Sequence, residues 1–424
     1  MSRALPSLVR ERLTDDAAGV TSVCTAHPLV IEAALLQGAR EGRRVLIEAS
    51  CNQVNQDGGY TGMTPADFRA FVETIAARVG FDPSRIVLGG DHLGPSPWKH
   101  LPSEDAMRRA RTMIDAYARS GFTKLHLDTS MGCAGERSAL PHEVVAERAA
   151  SLAEVTEAAR TDGQAPVYVI GTEVPTPGGA QHALDSLVLT RPEAAFRTVE
   201  AHREAFRAKG LEDALARAIG VVVQPGVEFG NDDVVVYRPD EARDLVASLS
   251  GMPGFVFEAH STDYQPAAAL GALVRDGFAI LKVGPWLTFA LREALYGLDA
   301  IAQTLSPSAP EEGLPAIMEA LMLEAPEHWR AHYRGSADET RLQRHFSFSD
   351  RIRYYWTRPK AQAAVERLFA RLGERIIPEP LVGQYLGALA PAVADGAEPA
   401  RARNLAIAAV QRVLAVYDRA CRGG

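Results

Sequence analysis

The sequence predicts an α/β fold, an eight-stranded parallel (β/α)8 barrel over residues 1–304 with a helical extension over 305–424. Three observations carry this. Eight short apolar, β-branched runs recur between residues 20 and 285, helical segments separate them, and the strand series stops at the breaker cluster SPSAPEEGLP near residue 305. The runs are VTSVCT from Val20, RVLIEAS from Arg44, RIVLGGD from Arg85, KLHLDTS from Lys124, VYVIGTE from Val167, GVVVQPG from Gly220, FVFEAHS from Phe255 and AILKVGP from Ala279. Between them, HPLVIEAALLQGAREG places Pro28 at a first helical position, and TPADFRAFVETIAARVG offers Thr64 as N-cap and Gly80 as stop. Strands alternating with helices imply parallel pairing, and eight such units in about 260 residues is the size of a TIM barrel. An open doubly wound sheet is the alternative. Beyond residue 305, LPAIMEALMLEA, KAQAAVERLFARLGERI and ARNLAIAAVQRVLAVYDRA carry apolar residues at helical spacing and predict helices packed on the barrel.

Composition narrows the function classes. Of 424 residues, 47% are hydrophobic and 23% charged, the range of an ordinary globular protein. The 53 acidic and 45 basic side chains leave a net charge of -8, so no basic surface for nucleic acid is expected. No apolar run approaches the ~20 residues of a membrane helix, and MSRALPSLVRERLTDD lacks the apolar core of a signal peptide; a cytoplasmic protein is expected. Cys24, Cys51, Cys133 and Cys421 form no C-x-x-C pair, which predicts neither a disulfide framework nor a zinc knuckle.

In such a barrel the active site gathers at the C-terminal strand ends. Here these carry Cys24 and His27, Glu48, Asp91 and His92, His126 and Asp128, Glu173, Gln224, Glu258 and His260, and Lys282. Polar loops explain one such residue but explain a full set poorly. Asp91–His92 offers a proton-transfer carboxylate beside a metal ligand, and the barrel would turn His260 and Glu173 toward the same cavity. Two imidazoles and a carboxylate suit a divalent cation such as Zn, Mn or Ni, and such an ion on a ketose carbonyl serves aldol cleavage or epimerisation alike. His126, inside its strand, reads instead as a hydrogen-bonded structural histidine. Lys282 reads at least as well as a charge partner for Glu258 or a substrate phosphate as it does as a Schiff-base lysine. Asn52 and Gln53 open the loop SCNQVNQDGGYTGM, which suits a hydrogen-bonding lid over a polyhydroxy ligand. SFSDRIRYYWTRPK sets Arg351, Arg353, Arg358 and Lys360 among aromatics, which fits packing and ion pairing better than a phosphate patch at the barrel mouth or a docking surface. No G-x-x-x-x-G-K-[ST] motif occurs, so a phosphate-loop kinase is not supported.

Together EASCNQVNQDGGYTGMTPADF, GGDHLGP, LHLDTSMGCAGE, GTEVPTPGG, VVQPGVEFG, EAHSTDYQ, FAILKVGPWLTFALREAL and SDRIRYYW resemble the non-catalytic Z subunit of class II D-tagatose-1,6-bisphosphate aldolase, over nearly the whole chain. That resemblance implies an oligomer, with a catalytic class II aldolase subunit as partner and a phosphorylated or free ketohexose as ligand. The implied role is to stabilise and fully activate that subunit in galactitol and N-acetylgalactosamine catabolism. Against the catalytic enzymes, Asp91 and His92 match the proton-transfer acid and first zinc ligand, and His260 a later ligand. Gln224 stands where another histidine is found. Glu173, with Gly178 and Gly179, resembles a carboxylate and Gly-Gly segment, while Ser261-Thr262-Asp263 replaces a Gly-Gly-Ser phosphate-binding segment. The strand-end reading and the resemblance together give Asp91 and Glu173 as catalytic, His92, Glu173, His260 and Gln224 as metal ligands, and Glu48, Asn52, Gln53, Asp128, Asp263 and Lys282 as substrate-binding. An amide at Gln224 implies a weakly held metal, and Asp263 implies repulsion of phosphate. The alternative is an enzyme acting alone, a metal-dependent ketohexose 4-epimerase or aldolase-like lyase.

Overall fold

The structure, a computed structural model, describes residues 6–14, 17–161, 163–172, 187–307, 309 and 312–422. Eight parallel strands close on themselves, which decides against the open sheet. They are β1 (Val20–Cys24), β2 (Val45–Ser50), β3 (Ile86–Leu93), β4 (Lys124–Leu127), β5 (Val167–Ile170), β6 (Ala218–Val223), β9 (Val256–Ala259) and β10 (Phe278–Val283). β7 (Glu228–Phe229) and β8 (Val234–Val235) form a small antiparallel pair in the loop after β6. β1 closes the barrel, with Ser22 in register with both Leu46 of β2 and Lys282 of β10.

The helix starts follow local chemistry. Residues Pro65–Val79 begin with a reciprocal capping box, in which Thr64 Oγ1 accepts from the Asp67 amide at 3.3 Å and Asp67 accepts from the Thr64 amide at 3.0 Å. Gly80 ends this helix in the left-handed region at φ 69°. Pro28 opens helix Pro28–Glu41, and the His27 ring accepts from the Leu29 amide.

Inside the barrel, side chains alternate along each strand and so form layers. The lower layer is apolar. Val20, Leu46, Val87, Val167, Val256 and Ile280 meet there, and Val9 and Leu13 of the N-terminal helix Ser7–Leu13 close the bottom. The layer above is charged, holding Glu48, Lys124 and Glu258. Gly89 of β3 makes room for it, because a Cβ at that position would lie 2.7 Å from Glu48 Cγ and Oε1.

The helical extension packs onto the barrel. Its observed helices include Leu314–Glu324, Pro359–Leu372 and Ala402–Cys421, as the periodicity predicts, together with Ala337–Phe346 and Glu379–Tyr385. The last helix touches both barrel helices Pro28–Glu41 and Ala267–Arg275, while the Cys421 carbonyl accepts from the Gly19 amide beside β1. The end of the chain is thus built into the helical ring around the barrel. None of the helices among the described residues is long and apolar enough to cross a membrane.

Gly89→Ala tests the tight fit under the charged layer. Glu48 is held by two lysines and cannot swing aside, so a loss of about 1–3 kcal/mol in unfolding free energy is expected from denaturant titration. An unchanged midpoint would show that the layer adapts.

Candidate active site

The site grows out of the charged layer. Lys124 Nζ lies 2.6 Å from Glu48 Oε1 and 2.7 Å from Glu258 Oε2, and all three residues are 0% exposed. Lys282 contacts the other oxygen of Glu48 and lies 3.0 Å from Asp91 Oδ1. Burial by itself would neutralise such ammonium groups, but the carboxylates around them outweigh it and hold both lysines above their ordinary range. The same holds in reverse for Asp91. Burial opposes its charge, yet His92, Lys282 and the bond to His126 keep the carboxyl well below the usual range.

A bulge brings two adjacent residues of β3 to the site. Neighbours on a strand normally face opposite sides, but the pairing of β3 with β4 shifts between Gly90 and Leu93, inserting one extra residue. His92 takes φ 50°, a left-handed conformation rare for a residue with a side chain. Asp91 and His92 both consequently line the cavity. Ser261, just after His260, has φ 53°.

Three imidazoles meet above the charges. The ring centroids of His92, His126 and His260 are 5.0–5.2 Å apart. Asp128 fixes His92 through Nδ1 at 2.8 Å, Asp91 Oδ1 lies 3.1 Å from His126 Nδ1, and Glu258 Oε1 lies 2.8 Å from His260 Nε2. Carboxylates orienting imidazoles in this way are the outer support that metal-ligating histidines use. Burial pushes His260 down to about 4, against the pull of Glu258, so its ring is neutral at pH 7 and able to donate a lone pair.

The residues fit a cation. Donor atoms of Asp91, His126, Glu258 and His260 lie within 4.8 Å of one another, close enough to surround one ion. His126 Nε2 is buried without a hydrogen-bond partner among the described residues. Charge points the same way: Glu48, Asp91, Asp128 and Glu258 are faced by the ammonium groups of Lys124 and Lys282 and by His92, whose pKa Asp91 and Asp128 raise against burial, so carboxylates still outnumber the cations and a bound cation would offset the excess.

Other expectations need correction. His126 is a member of the cluster rather than a structural histidine. Gln224 is not: its carboxamide oxygen accepts from the amides of Gly226 at 2.8 Å and Val227 at 2.9 Å, and it does not line the cavity. Its backbone turn, not an ion, claims the side chain. Glu48 is a buried brace beneath the site and is likewise absent from the cavity wall, as is Asp128. Asp263 does line the cavity, but Oδ1 accepts from the amides of Gly284 at 3.0 Å and Trp286 at 2.8 Å, at the start of helix Pro285–Leu305. Burial raises its pKa to about 6, which the amides and Arg353 partly oppose. Asn52, Gln53 and Lys282 line the cavity. Glu173, Gly178 and Gly179 lie outside the described residues.

The signal that finds His126 is period two. Lys124, His126 and Asp128 alternate on one strand, and Glu258 and His260 on another, so each set points inward together.

The cavity above the cluster is about 570 Å³. Its floor includes Asp91, His92, His260 and Lys282, and the extension supplies Arg353, Tyr354 and Trp356. Tyr60 from the loop after β2 packs against Tyr354, ring centroids 4.7 Å apart, so the loop and the extension meet at the mouth.

A (β/α)8 barrel with a buried imidazole and carboxylate centre at its C-terminal strand ends is the class that fold and site define. Within it, the chain belongs to the family described as D-tagatose-1,6-bisphosphate aldolase subunit GatZ/KbaZ-like, whose model matches residues 5–422. It is 53% identical over 426 residues to the D-tagatose 6-phosphate 4-epimerase of Agrobacterium fabrum, with 100% of each chain covered. It is also similar to a crystal structure described as a probable tagatose 6 phosphate kinase from Sinorhizobium meliloti, at 57% identity and TM-score 0.89, covering 95% of this chain and 100% of that one.

His126→Ala should lower the affinity for Zn or Mn by about 10–100-fold in a calorimetric titration. Gln224→His should leave that affinity unchanged, because position 224 serves the Gly226 turn; tighter binding would restore it as a ligand position.

Proposed function

We propose that the chain is a cation-dependent ketose-phosphate 4-epimerase, interconverting D-tagatose 6-phosphate and D-fructose 6-phosphate by cleavage and re-formation of the C3–C4 bond. The observation that carries this reading is the cluster of Asp91, His126, Glu258 and His260 with His92 beside it, of which Asp91, His92 and His260 line a 570 Å³ cavity. A chain serving only as a support has no need of buried charges that cost several kcal/mol each to desolvate. The name of the Agrobacterium relative, full-length and 53% identical, supports the same reaction.

The residues have separable tasks. His126, His260 and Glu258 would hold a divalent ion such as Zn, Mn or Ni, with His92 beside them. A bound ion of this kind would polarise the C2 carbonyl and offset the negative charge that develops when C3–C4 breaks. Asp91, held ionised, takes the proton from the C4 hydroxyl, the bond breaks to a three-carbon enediolate and glyceraldehyde 3-phosphate, and the aldehyde turns over. Re-addition to its other face, with the proton returned to O4, gives the epimer and leaves atoms and charge unchanged. Lys282, 3.0 Å from Asp91 Oδ1, keeps the carboxylate ionised before it takes the proton and favours the proton's return to O4. Asn52 and Gln53 bind sugar hydroxyls from the cavity wall, and Glu173 stands as a second proton-transfer candidate. The contact of Tyr60 with Tyr354 narrows the mouth, which suits a reaction whose aldehyde must turn without escaping. A reaction on a sugar phosphate fits a cytoplasmic protein.

A second reading is an accessory subunit that activates a catalytic class II aldolase, favoured by the wording of the family description. In that case barrel and extension act as one packed support, with residues 305–424 as a helical part beside the barrel of 1–304. Kinase chemistry, suggested by the wording for the Sinorhizobium structure, finds no phosphate loop in this sequence.

The purified chain alone, supplied with Zn or Mn, is expected to convert D-tagatose 6-phosphate into D-fructose 6-phosphate without net triose phosphate release. Asp91→Asn should lower kcat by about 100–10,000-fold while cation binding persists. Triose phosphate appearing only on addition of a catalytic aldolase subunit, with no epimer formed by the chain alone, would establish the accessory reading instead.

A further inference from the structure

Four Lys and Arg side chains line the cavity among the described residues: Arg78, Lys282, Arg353 and Arg403. Three already have carboxylate partners. Lys282 is engaged by Glu48 and Asp91 in the charged layer. Arg78 and Arg403 share Glu32, each with its guanidinium against the same oxygen. Arg353 differs. It pairs with no carboxylate among the described residues, and its polar contacts are the carbonyls of Ser349 and Asp350 and the Tyr354 hydroxyl at 3.1 Å.

These contacts fix the guanidinium without an ion pair, and the two carboxyls that feel its charge, Asp263 and Asp350, are pushed up by burial and engaged by the Gly284 and Trp286 amides and the Thr288 hydroxyl. The polar contacts of Arg353 use three of its five N–H groups and leave donors for a ligand. The plane of Tyr354 lies under it, with Arg353 Cζ 4.6 Å from the ring centroid, and the short helical turn Arg351–Tyr355 sets its backbone. A cation in a half-buried wall with no directly paired carboxylate favours the arrival of an anion. The field of Arg353 is visible at the neighbouring phenol. Burial would raise the Tyr354 pKa, yet Arg353 and Arg351 together pull it below the ordinary value. The loop after β9, where the resemblance to catalytic aldolases would put a phosphate-binding segment, offers no comparable group, since Asp263 there accepts from the amides that begin helix Pro285–Leu305.

We infer that Arg353, delivered by the helical extension, receives the phosphate of the substrate and so sets the preference for phosphorylated over free ketohexoses. This rests on the proposal that the cavity takes a ketose phosphate. Reacting carbons over the imidazoles and a phosphate at Arg353 would anchor the sugar at both ends. The free aldehyde fragment, which carries that phosphate, would then stay tethered while its carbonyl turns. The extension thereby becomes part of the active site. Arg353 is a specificity-determining residue whose planar fork can present paired N–H groups to phosphate oxygens, a geometry lysine lacks.

Binding tests this independently of turnover. Calorimetric titration of the full-length, cation-loaded chain with D-fructose 6-phosphate, D-fructose and inorganic phosphate should show the wild type preferring the phosphorylated sugar. Arg353→Met should weaken D-fructose 6-phosphate by about 10–100-fold, the range for loss of a charged hydrogen bond, and leave D-fructose within about threefold. Arg353→Lys, which keeps the charge and replaces the fork, should fall between and covers the case that the methionine variant does not fold. In kinetics the same variants should raise KM for D-tagatose 6-phosphate far more than for D-tagatose. Equal losses for phosphorylated and free sugar, an unchanged affinity in both variants, or a wild type that binds the two sugars alike would each overturn the assignment. If the chain binds D-fructose 6-phosphate through Arg353 but forms no epimer, the inference stands and the epimerase reading falls.

Discussion

The constraint on which the structure depends is the need to balance charge inside a closed barrel. Lys124 sits between Glu48 and Glu258 with no exposure to solvent, and Lys282 continues the alternation to Glu48 and Asp91. Removing one member would leave its partner charged and buried, a loss of about 3–5 kcal/mol. Surrounding features follow from this. Gly89 has no side chain because Glu48 fills its space, and the apolar layer below excludes water from the pairs. The carboxylates that continue upward orient the imidazoles, so stability of the barrel and geometry of the site share the same side chains.

Strain is placed beside that layer. The β3 bulge and the left-handed backbone of His92 turn two consecutive side chains inward, and Ser261 repeats the conformation after His260. Such conformations cost on the order of 1–3 kcal/mol each and persist only where the surroundings hold them. Here Asp128 fixes the His92 ring and His126 Nδ1 lies 3.2 Å from the His92 amide, so the imidazoles pack against the backbone that presents them.

The extension completes what the barrel begins. A barrel alone would leave its C-terminal face open, whereas the turn Arg351–Tyr355 and the loop carrying Tyr60 meet above the cluster. The final helix ties this roof to the wall. Tyr417 donates to the Thr262 carbonyl at 2.7 Å, just after His260 and Ser261, and the Cys421 carbonyl holds the Gly19 amide. A change in the last helix therefore reaches the backbone that bears the cluster.

Most of the barrel was legible in the sequence, because strands buried on both faces are short apolar runs and parallel pairing requires intervening helices. Asp91, His92 and His260 were legible as polar residues at strand ends, and Asn52, Gln53 and Lys282 as candidates for the cavity wall. What the sequence could not decide is which polar side chain is claimed by its own neighbourhood. Gln224 and Asp263 resemble ligand positions in one dimension, but unpaired amides two or three residues away, and at a helix start far along the chain, take up their oxygens. His126 looked structural because it lies within a strand, and only closure of the barrel set it against His92 and His260. Arg353 lies more than 200 residues from Asp91 in the chain, and its place in the cavity wall follows from how the extension folds back. The sequence by itself determined the alternation of strands and helices and the inward period of Lys124, His126 and Asp128, since both follow from local backbone geometry. Only the tertiary structure decided which charges meet and which are left to hold a ligand, because charge pairing in a buried space depends on distances between segments remote in sequence.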